Sequence, residues 1–326
     1  MGALVREDWE NYLRLEAAWR LKRPAVEAWF EERTDAPFFL FLHTYAAHQY
    51  HPPKDIYDQD LAISESTWTF GRQLPPISPE AFRANPPSAA DQEHLRLLYD
   101  ACVRHADEEF GAVMRHLDAS GLLETSYVVV FSDHGEELFE QGDFGHSNSL
   151  RESLLRVPLM ISGPGVPAGV IDAPVSLVDL PPTLCTLLGL PIDPAFQGRT
   201  LLEVGEPVGG APSFVATSEF SPVFSEVSHH EYHRDSLRLD KWKVVRDYGP
   251  GGREAGATPI ERLFDLTSEE GEATDLAADQ PDLLGRLLER LEARREAIDA
   301  AAAGLPEDRT GVSDATKDQL GDLGYL

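Results

Sequence analysis

Residues Val128 to Pro158 read VVVFSDHGEELFEQGDFGHSNSLRESLLRVP, and the abrupt change from an apolar run to Ser-Asp-His-Gly-Glu constrains this chain more than any other feature. A short, wholly apolar run of this kind is a strand buried in a sheet. Its end presents Asp133 and His134 side by side, a carboxylate and an imidazole that can share one divalent cation. Gly135 then permits the tight turn by which the chain leaves the strand. A hydrophilic loop after a core strand is the alternative reading of the same residues.

Around this stretch apolar runs alternate with helical patterns. Residues 5–33 read as helix, with Trp9, Tyr12, Leu13, Ala17, Val26, Trp29 and Phe30 at helical spacing. Pro37 to His43, PFFLFLH, reads as a fully buried strand. Residues 52–88 are rich in Pro and Ser without periodicity, as in a long surface excursion. A helix from about Ala90 to Ser120 follows, with Leu95, Leu98, Cys102, Phe110, Val113 and Leu117 on one face and Gly121 as its stop. Strands over 126–132 and 157–163 come next, then a short helix over Leu177 to Leu188 broken by Gly189. The order predicts an α/β fold, a three-layer sandwich with a mostly parallel central sheet. Beyond Phe214, SLRLDKWKVVRDY and ERLFDLTSEEGEATDL alternate like antiparallel strands, and residues 282–299 form an amphipathic helix. We therefore expect an α/β domain over 1–210 and a small C-terminal subdomain of antiparallel strands and a helix over 211–326.

The charge narrows the partners. A net charge of −28, from 56 acidic and 28 basic residues, argues against nucleic acid and against an anionic membrane surface. If the substrate is itself an anion, a metal and local cations must reverse the sign of the field inside the site. No stretch approaches the roughly 18–20 apolar residues of a membrane span. The N-terminus MGALVREDWENYLRLEAAWR has no apolar core of a signal peptide, and Arg6 stands where myristoylation needs Ser or Thr, so localisation is unmarked. Cys102 and Cys185 are two isolated cysteines in helical contexts, read as small apolar residues with a single disulfide left open.

The sequence order of long helix, Gly-Leu-Leu, apolar strand, SDHGEEL, GH and RVPLMISGPG resembles the sulfatase family of the alkaline phosphatase superfamily. PFFLFLHTYAAHQYHPP upstream, LVDLPPTLCTLLGLP, QGRTLL and RLFDL downstream, and LGYL at the C-terminus extend the resemblance over roughly residues 25–326. It implies a sulfatase-type hydrolase of sulfate monoesters, acting on a small-molecule or glycan sulfate ester with one divalent metal ion. By the resemblance Asp133 and His134 are metal ligands, the second pair of the family's set. Many relatives have Asp-Asn at this place and bind calcium, whereas an imidazole also admits manganese or zinc.

His146 matches the region where the family has a cationic side chain near the transferred group, and a protonated imidazole there can stabilise an ester oxygen or protonate the leaving group. A loop histidine is the plainer alternative. His48, in AAHQYHPP, resembles the histidine of the family's Asp-Pro-His-x-Pro-Tyr turn, which contacts the sulfate, although Ala46 and Ala47 replace the Asp-Pro. His43 and His51 read as structural. Asp179 ahead of Pro181 and Pro182 matches a family aspartate, and helix capping explains it. The SHHEYH cluster over 228–233 admits a metal by composition, but reads more simply as surface histidines beside a hairpin.

The family's nucleophile, a formylglycine made within Cys/Ser-x-Pro/Ala-x-Arg, has no counterpart here: neither Cys102 nor Cys185 has that context. The expectation is a chain that corresponds to the C-terminal two-thirds of a sulfatase and is weakly active or inactive alone. It would then pair with an N-terminal fragment or self-associate through an uncovered sheet edge. Two alternatives stand beside this reading. One is phosphoryl or phosphonate ester chemistry of the same superfamily, and the other a catalytically dead module that binds sulfated ligands.

Overall fold

The structure is a computed structural model that describes residues 19–32, 37–48, 50, 87–146, 149–208, 212–217, 222–229, 232–249, 252–256 and 258–303. These fall into two compact units. One comprises the described residues up to Glu124 together with Leu138–Gly145, and the other Thr125–Glu137 together with the described residues from His146 onward.

In the first unit, α1 (Trp19–Glu32) lies on α2 (Ala89–Ala119) through Phe30, whose ring sits 5.5 Å from that of His116. The part of the expected N-terminal helix before Trp19, and the Pro- and Ser-rich excursion up to residue 86, lie outside the described residues. Ser88 starts α2 with a reciprocal cap: its Oγ accepts from the Asp91 amide at 3.2 Å, and Asp91 Oδ2 accepts from the Ser88 amide at 3.1 Å. Gly121 ends it with φ +71°, the left-handed turn that glycine adopts without a steric penalty. The helix expected over 90–120 is thus present almost to the residue, with Leu95, Leu98, Ala101, Cys102, Val113 and Leu117 buried along it. Leu95 and Leu98 pack with Tyr50 and with Phe144 of the hairpin that follows.

PFFLFLH differs from expectation. Residues 37–43 have no regular secondary structure and join no ladder among the described residues, and Phe39 and Phe41 are 72% and 61% exposed. Apolar composition says that a segment wants covering; the hydrogen-bonding partner that makes it a strand is not in its own sequence.

The second unit opens with β1 (Val128–Phe131). Along the chain follow the two-residue strands β2 (Glu137–Leu138) and β3 (Phe144–Gly145), whose residues from Leu138 to Gly145 belong to the first unit, and then, in the second unit, the single helical turn α3 (Glu152–Leu155) and β4 (Leu159–Ser162). β4 returns antiparallel beside β1, with Val129 opposite Ile161 and Val130 opposite Met160. Next come α4 (Leu180–Leu187), ended by Gly189 at φ +63°, and the antiparallel pair β5 (Leu202–Val204) and β6 (Phe214–Ala216). Leu187, Leu202 and Phe214 form a core with Tyr127 and Ile161 against it.

The rest of the unit is an antiparallel sheet of β7 (Val223–His229), β8 (Tyr232–Leu239), β9 (Trp242–Asp247) and β10 (Ile260–Asp265), followed by α5 (Pro281–Ala303). Asp240 at φ +55° makes the two-residue turn between β8 and β9. Register places Leu237, Val244 and Leu263 in one row across three strands, and Leu287 and Leu291 of α5 bury them. The antiparallel strands and the helix expected beyond Phe214 are therefore present, except that after Asp265 the chain turns into a short helical segment at Gly271–Ala273. The mostly parallel sheet is not found among these ladders: β1–β4, β5–β6 and β7 to β10 are all antiparallel. Cys102 and Cys185 form no disulfide. Among the described residues no helix is long and apolar enough to cross a membrane.

Two predictions follow from this sheet. Leu291 is fully buried, so Leu291→Ala leaves a cavity beneath the row and costs about 2–5 kcal/mol. Hydrogen exchange at the amides of β8 to β10 measures it. The Asp265 carboxylate is lowered from 3.8 to about 2, first by its hydrogen bond from Lys241 and then by the Thr267 hydroxyl and amide. A carboxylate lowered on folding stabilises the fold above its unfolded value and loses that contribution as pH falls through its folded one. Asp265→Asn will therefore flatten the decline in stability between about pH 4 and pH 2, as read by acid titration of the same amides.

Candidate functional site

The apolar residues of β1 stop at Phe131, and the chain then turns sharply. Ser132 Oγ donates to the His134 carbonyl at 2.7 Å, and the His134 amide donates to Asp133 Oδ1 at 3.0 Å. The Gly135 and Glu136 amides donate to the carbonyls of Leu154 and Ser153 at 2.8 and 3.2 Å, seating the turn on α3. A Cβ on residue 135 would lie 2.0 Å from the Ser153 carbonyl oxygen, so only glycine allows this approach.

Two imidazoles of the unit come together here. The rings of His134 and His146 stand 4.3 Å apart and tilted by 30°. His134 Nδ1 lies 2.8 Å from the Gly135 carbonyl, which can only accept, so the proton is on Nδ1 and the lone pair on Nε2. Nε2 in turn lies 3.9 Å from Asp133 Oδ2, a span that two ligands of one ion, each at about 2.0–2.4 Å, can bridge. His146 follows Gly145, which has φ +88°, and its Nδ1 is held at 3.0 Å by Glu136 Oε2. Glu136 is buried, and its Oε1 has no hydrogen-bond partner among the described residues. Next to it the buried Glu137 is neutralised by Arg151 at 2.6 Å and also accepts from Ser149 at 3.1 Å.

Asp133 and Glu136 thus remain as two carboxylates beside two imidazoles, a donor set that suits a divalent cation. The buried Oε1 of Glu136 is a further oxygen ligand type at the same place. Glu136 was not singled out in the sequence. The signal was there, a carboxylate directly after the Asp-His-Gly turn and ten residues ahead of a Gly-His pair.

His48 belongs to the other compact unit, where its amide donates to the Tyr45 carbonyl at 3.0 Å and its ring meets that of Tyr45 edge-on at 5.5 Å. Where the resembling turn has Asp-Pro, the Ala46 amide is bound by Thr44 Oγ1 at 3.1 Å. His43 lies 4.7 Å from Tyr45, and His51 is outside the described residues. Asp179 is buried and structural: its carboxylate accepts from the Ser176 amide at 2.9 Å and the Arg199 amide at 3.0 Å. The second bond pins QGRT, where a Cβ on Gly198 would lie 1.8 Å from the Val178 carbonyl oxygen.

Of the SHHEYH cluster, residues 230 and 231 lie outside the described residues. His233 Nε2 stands 3.3 Å from Glu226 Oε1 and 3.4 Å from Asp235 Oδ1, three ligand atoms in reach of one ion. Arg295 of α5 already fills the cation's place. It donates from Nε to Asp235 Oδ2 at 2.6 Å and from the guanidinium end to Oδ1, and lies 3.4 Å from Glu226 Oε2. Burial works against the charge on Arg295, but the hydrogen bonds to Asp235 and the field of Asp235 and Glu226 outweigh it and raise its pKa.

Because the Glu136 carboxylate orients His146, Glu136→Ala should abolish the slowly exchanging Nδ1 proton of His146 seen by nitrogen-15 NMR, while Glu136→Gln, which can still accept, keeps it.

The family model described as Sulfatase matches residues 22–190, more than half of the 326. Arylsulfatase K of Bos taurus is 30% identical over 207 residues, covering 61% of this chain and 36% of that protein. The chain spans about a third of the length of the curated relatives it matches. Among solved structures, the phosphonate monoester hydrolase of Agrobacterium radiobacter superposes with TM-score 0.63 at 20% identity, over 85% of this chain and 60% of that one. A protein solved in complex with its substrate, D-glucosamine-2-N,6-O-disulfate, superposes with TM-score 0.56 at 16% identity, over 89% and 71%. At such identities these two likenesses speak for the fold alone, which is the alkaline-phosphatase-like one.

Proposed function

Since the chain belongs to the sulfatase family, we propose that the protein of which it forms part or the whole hydrolyses a sulfate monoester with a divalent metal ion. The observation that carries this reading is the pairing at the end of β1: Asp133 Oδ2 and His134 Nε2 within 3.9 Å of each other, beside His146. In this reading Asp133 and His134 hold the cation. Such an ion, when bound, supplies Lewis-acid polarisation and neutralises the anionic ester.

His146 serves the leaving group. With Nδ1 fixed by Glu136, its Nε2 is the atom that can donate a proton to the departing oxygen or a hydrogen bond to the sulfate, and Glu136 stabilises the imidazolium. His48 remains a candidate for sulfate contact on the resemblance alone. The Asp-His pair favours manganese or zinc over an all-oxygen calcium site, although calcium tolerates one imidazole. The nucleophile and further ligands are assigned to residues other than these, since no Cys/Ser-x-Pro/Ala-x-Arg sequence occurs in the 326 residues. The mostly parallel three-layer sheet is part of the same proposal, supported by the alternation of elements and the likeness to solved neighbours.

Calorimetric titration of the chain with Mn²⁺ and Ca²⁺ tests the site. One ion should bind, and Asp133→Ala and His134→Ala should each weaken it tenfold or more. Unchanged binding in both variants overturns the assignment. In the whole protein, faster turnover of a phenyl phosphonate ester than of an aryl sulfate would move the reading to phosphonate chemistry.

A further inference from the structure

The four-stranded sheet is covered on both sides. Register puts Asp235, Leu237, Val244, Arg246 and Leu263 on the face under α5, so Lys243 and Arg238, which are opposite each other, lie on the other face. There Lys243 is completely buried. A buried ammonium is tolerable only with its charge paired and its protons taken up. Lys243 Nζ donates to the Leu150 carbonyl at 2.5 Å and reaches Glu152 Oε1 at 2.8 Å and Glu272 Oε1 at 2.9 Å. Arg238 holds Glu152 Oε2 at 2.5 Å, and the Glu152 amide, at the start of α3, donates to Glu272 Oε2 at 2.7 Å. Two cations and two carboxylates close a neutral, hydrogen-bonded ring.

What the ring grips is the segment that carries the site. Leu150 and Glu152 follow four and six residues after His146. Ser153 and Leu154, directly after Glu152, supply the carbonyls that hold the Gly135 and Glu136 amides. Glu136 in turn holds His146, and Arg151, between the two gripped residues, neutralises Glu137. Hydrogen bonds thus run without a break from the far face of the C-terminal sheet to both ends of the histidine pair.

We propose that Lys243, with Glu272, is a positioning residue for the Asp133–His134 turn and His146, fixing α3 as the platform on which that turn is built. The inference rests on the functional reading above for its consequence in metal binding, but its geometric part is tested without metal. The full chain carrying Lys243→Met is compared with Arg246→Met, which breaks ion pairs with Glu261 and Glu292 on the opposite face of the same sheet.

In metal-free protein, exchange protection at the Gly135 and Glu136 amides should fall at least tenfold more than protection at Leu237 and Val244 in Lys243→Met. In Arg246→Met the two sets should fall together. Mn²⁺ binding should weaken 10–100-fold in Lys243→Met and stay at the wild-type value in Arg246→Met. Parallel loss at both amide sets in both variants overturns the proposal. If Lys243→Met does not fold, Glu272→Gln, which keeps the shape and an acceptor for the Glu152 amide, decides by the same comparison of amides. Wild-type protein that binds no Mn²⁺ overturns the metal reading and leaves the exchange result standing.

Discussion

An ammonium group with no exposed surface sits on the β9 strand, and the second unit is organised around satisfying it. Antiparallel sheets commonly leave one face to water, and an isolated strand sequence such as KWKVVRDY would be read that way. Here the aliphatic row binds α5 on one side, while Lys243 and Arg238 bind the chain between β3 and β4 on the other. The sheet is thereby a joint between a hydrophobic contact, which is indifferent to direction, and an ionic one, which fixes position to within a hydrogen bond.

The candidate site has the same division. Sterics locate it: Gly135 sits where a methyl group would overlap the Ser153 carbonyl oxygen, which seats the turn on α3. Charge then defines it. Glu137 is cancelled by Arg151 and Asp179 is spent on backbone amides, which leaves Asp133 and Glu136 as the acids near two neutral-or-protonated rings. In a chain of net charge −28, this local arrangement of carboxylates and imidazoles matters more to the site than the overall field.

Much of this was legible in the sequence where the cause is local. The α2 limits were, because the apolar face repeats at helical spacing and Gly121 is a stop read from one residue. So was the strand-to-turn step that exposes Asp133 and His134, and the antiparallel pairing after Phe214. What was missed depends on distant partners. PFFLFLH has the composition of a buried strand, but it joins no ladder among the described residues, and Phe39 is largely exposed. Glu136 looks like any acidic loop residue until His146 arrives ten positions later, and nothing in SHHEYH announces that Arg295 fills its cluster. Sequence periodicity specifies faces; it does not specify which charge meets which.

The placement of that arginine bears on the order in which the unit can be assembled. Asp235 and Glu226 lie on the two strands β8 and β7, while their countercharge is on α5, 60 residues after Asp235. On a ribosome the strands emerge first, with Asp235 committed to burial and no cation yet available. The four strands can meet, but that acid keeps one end of the sheet hydrated until the helix arrives with its guanidinium and its leucine stripe together. The helix α5 thus brings the countercharge and the apolar cover of the sheet together, and is the latch for everything the opposite face holds in place.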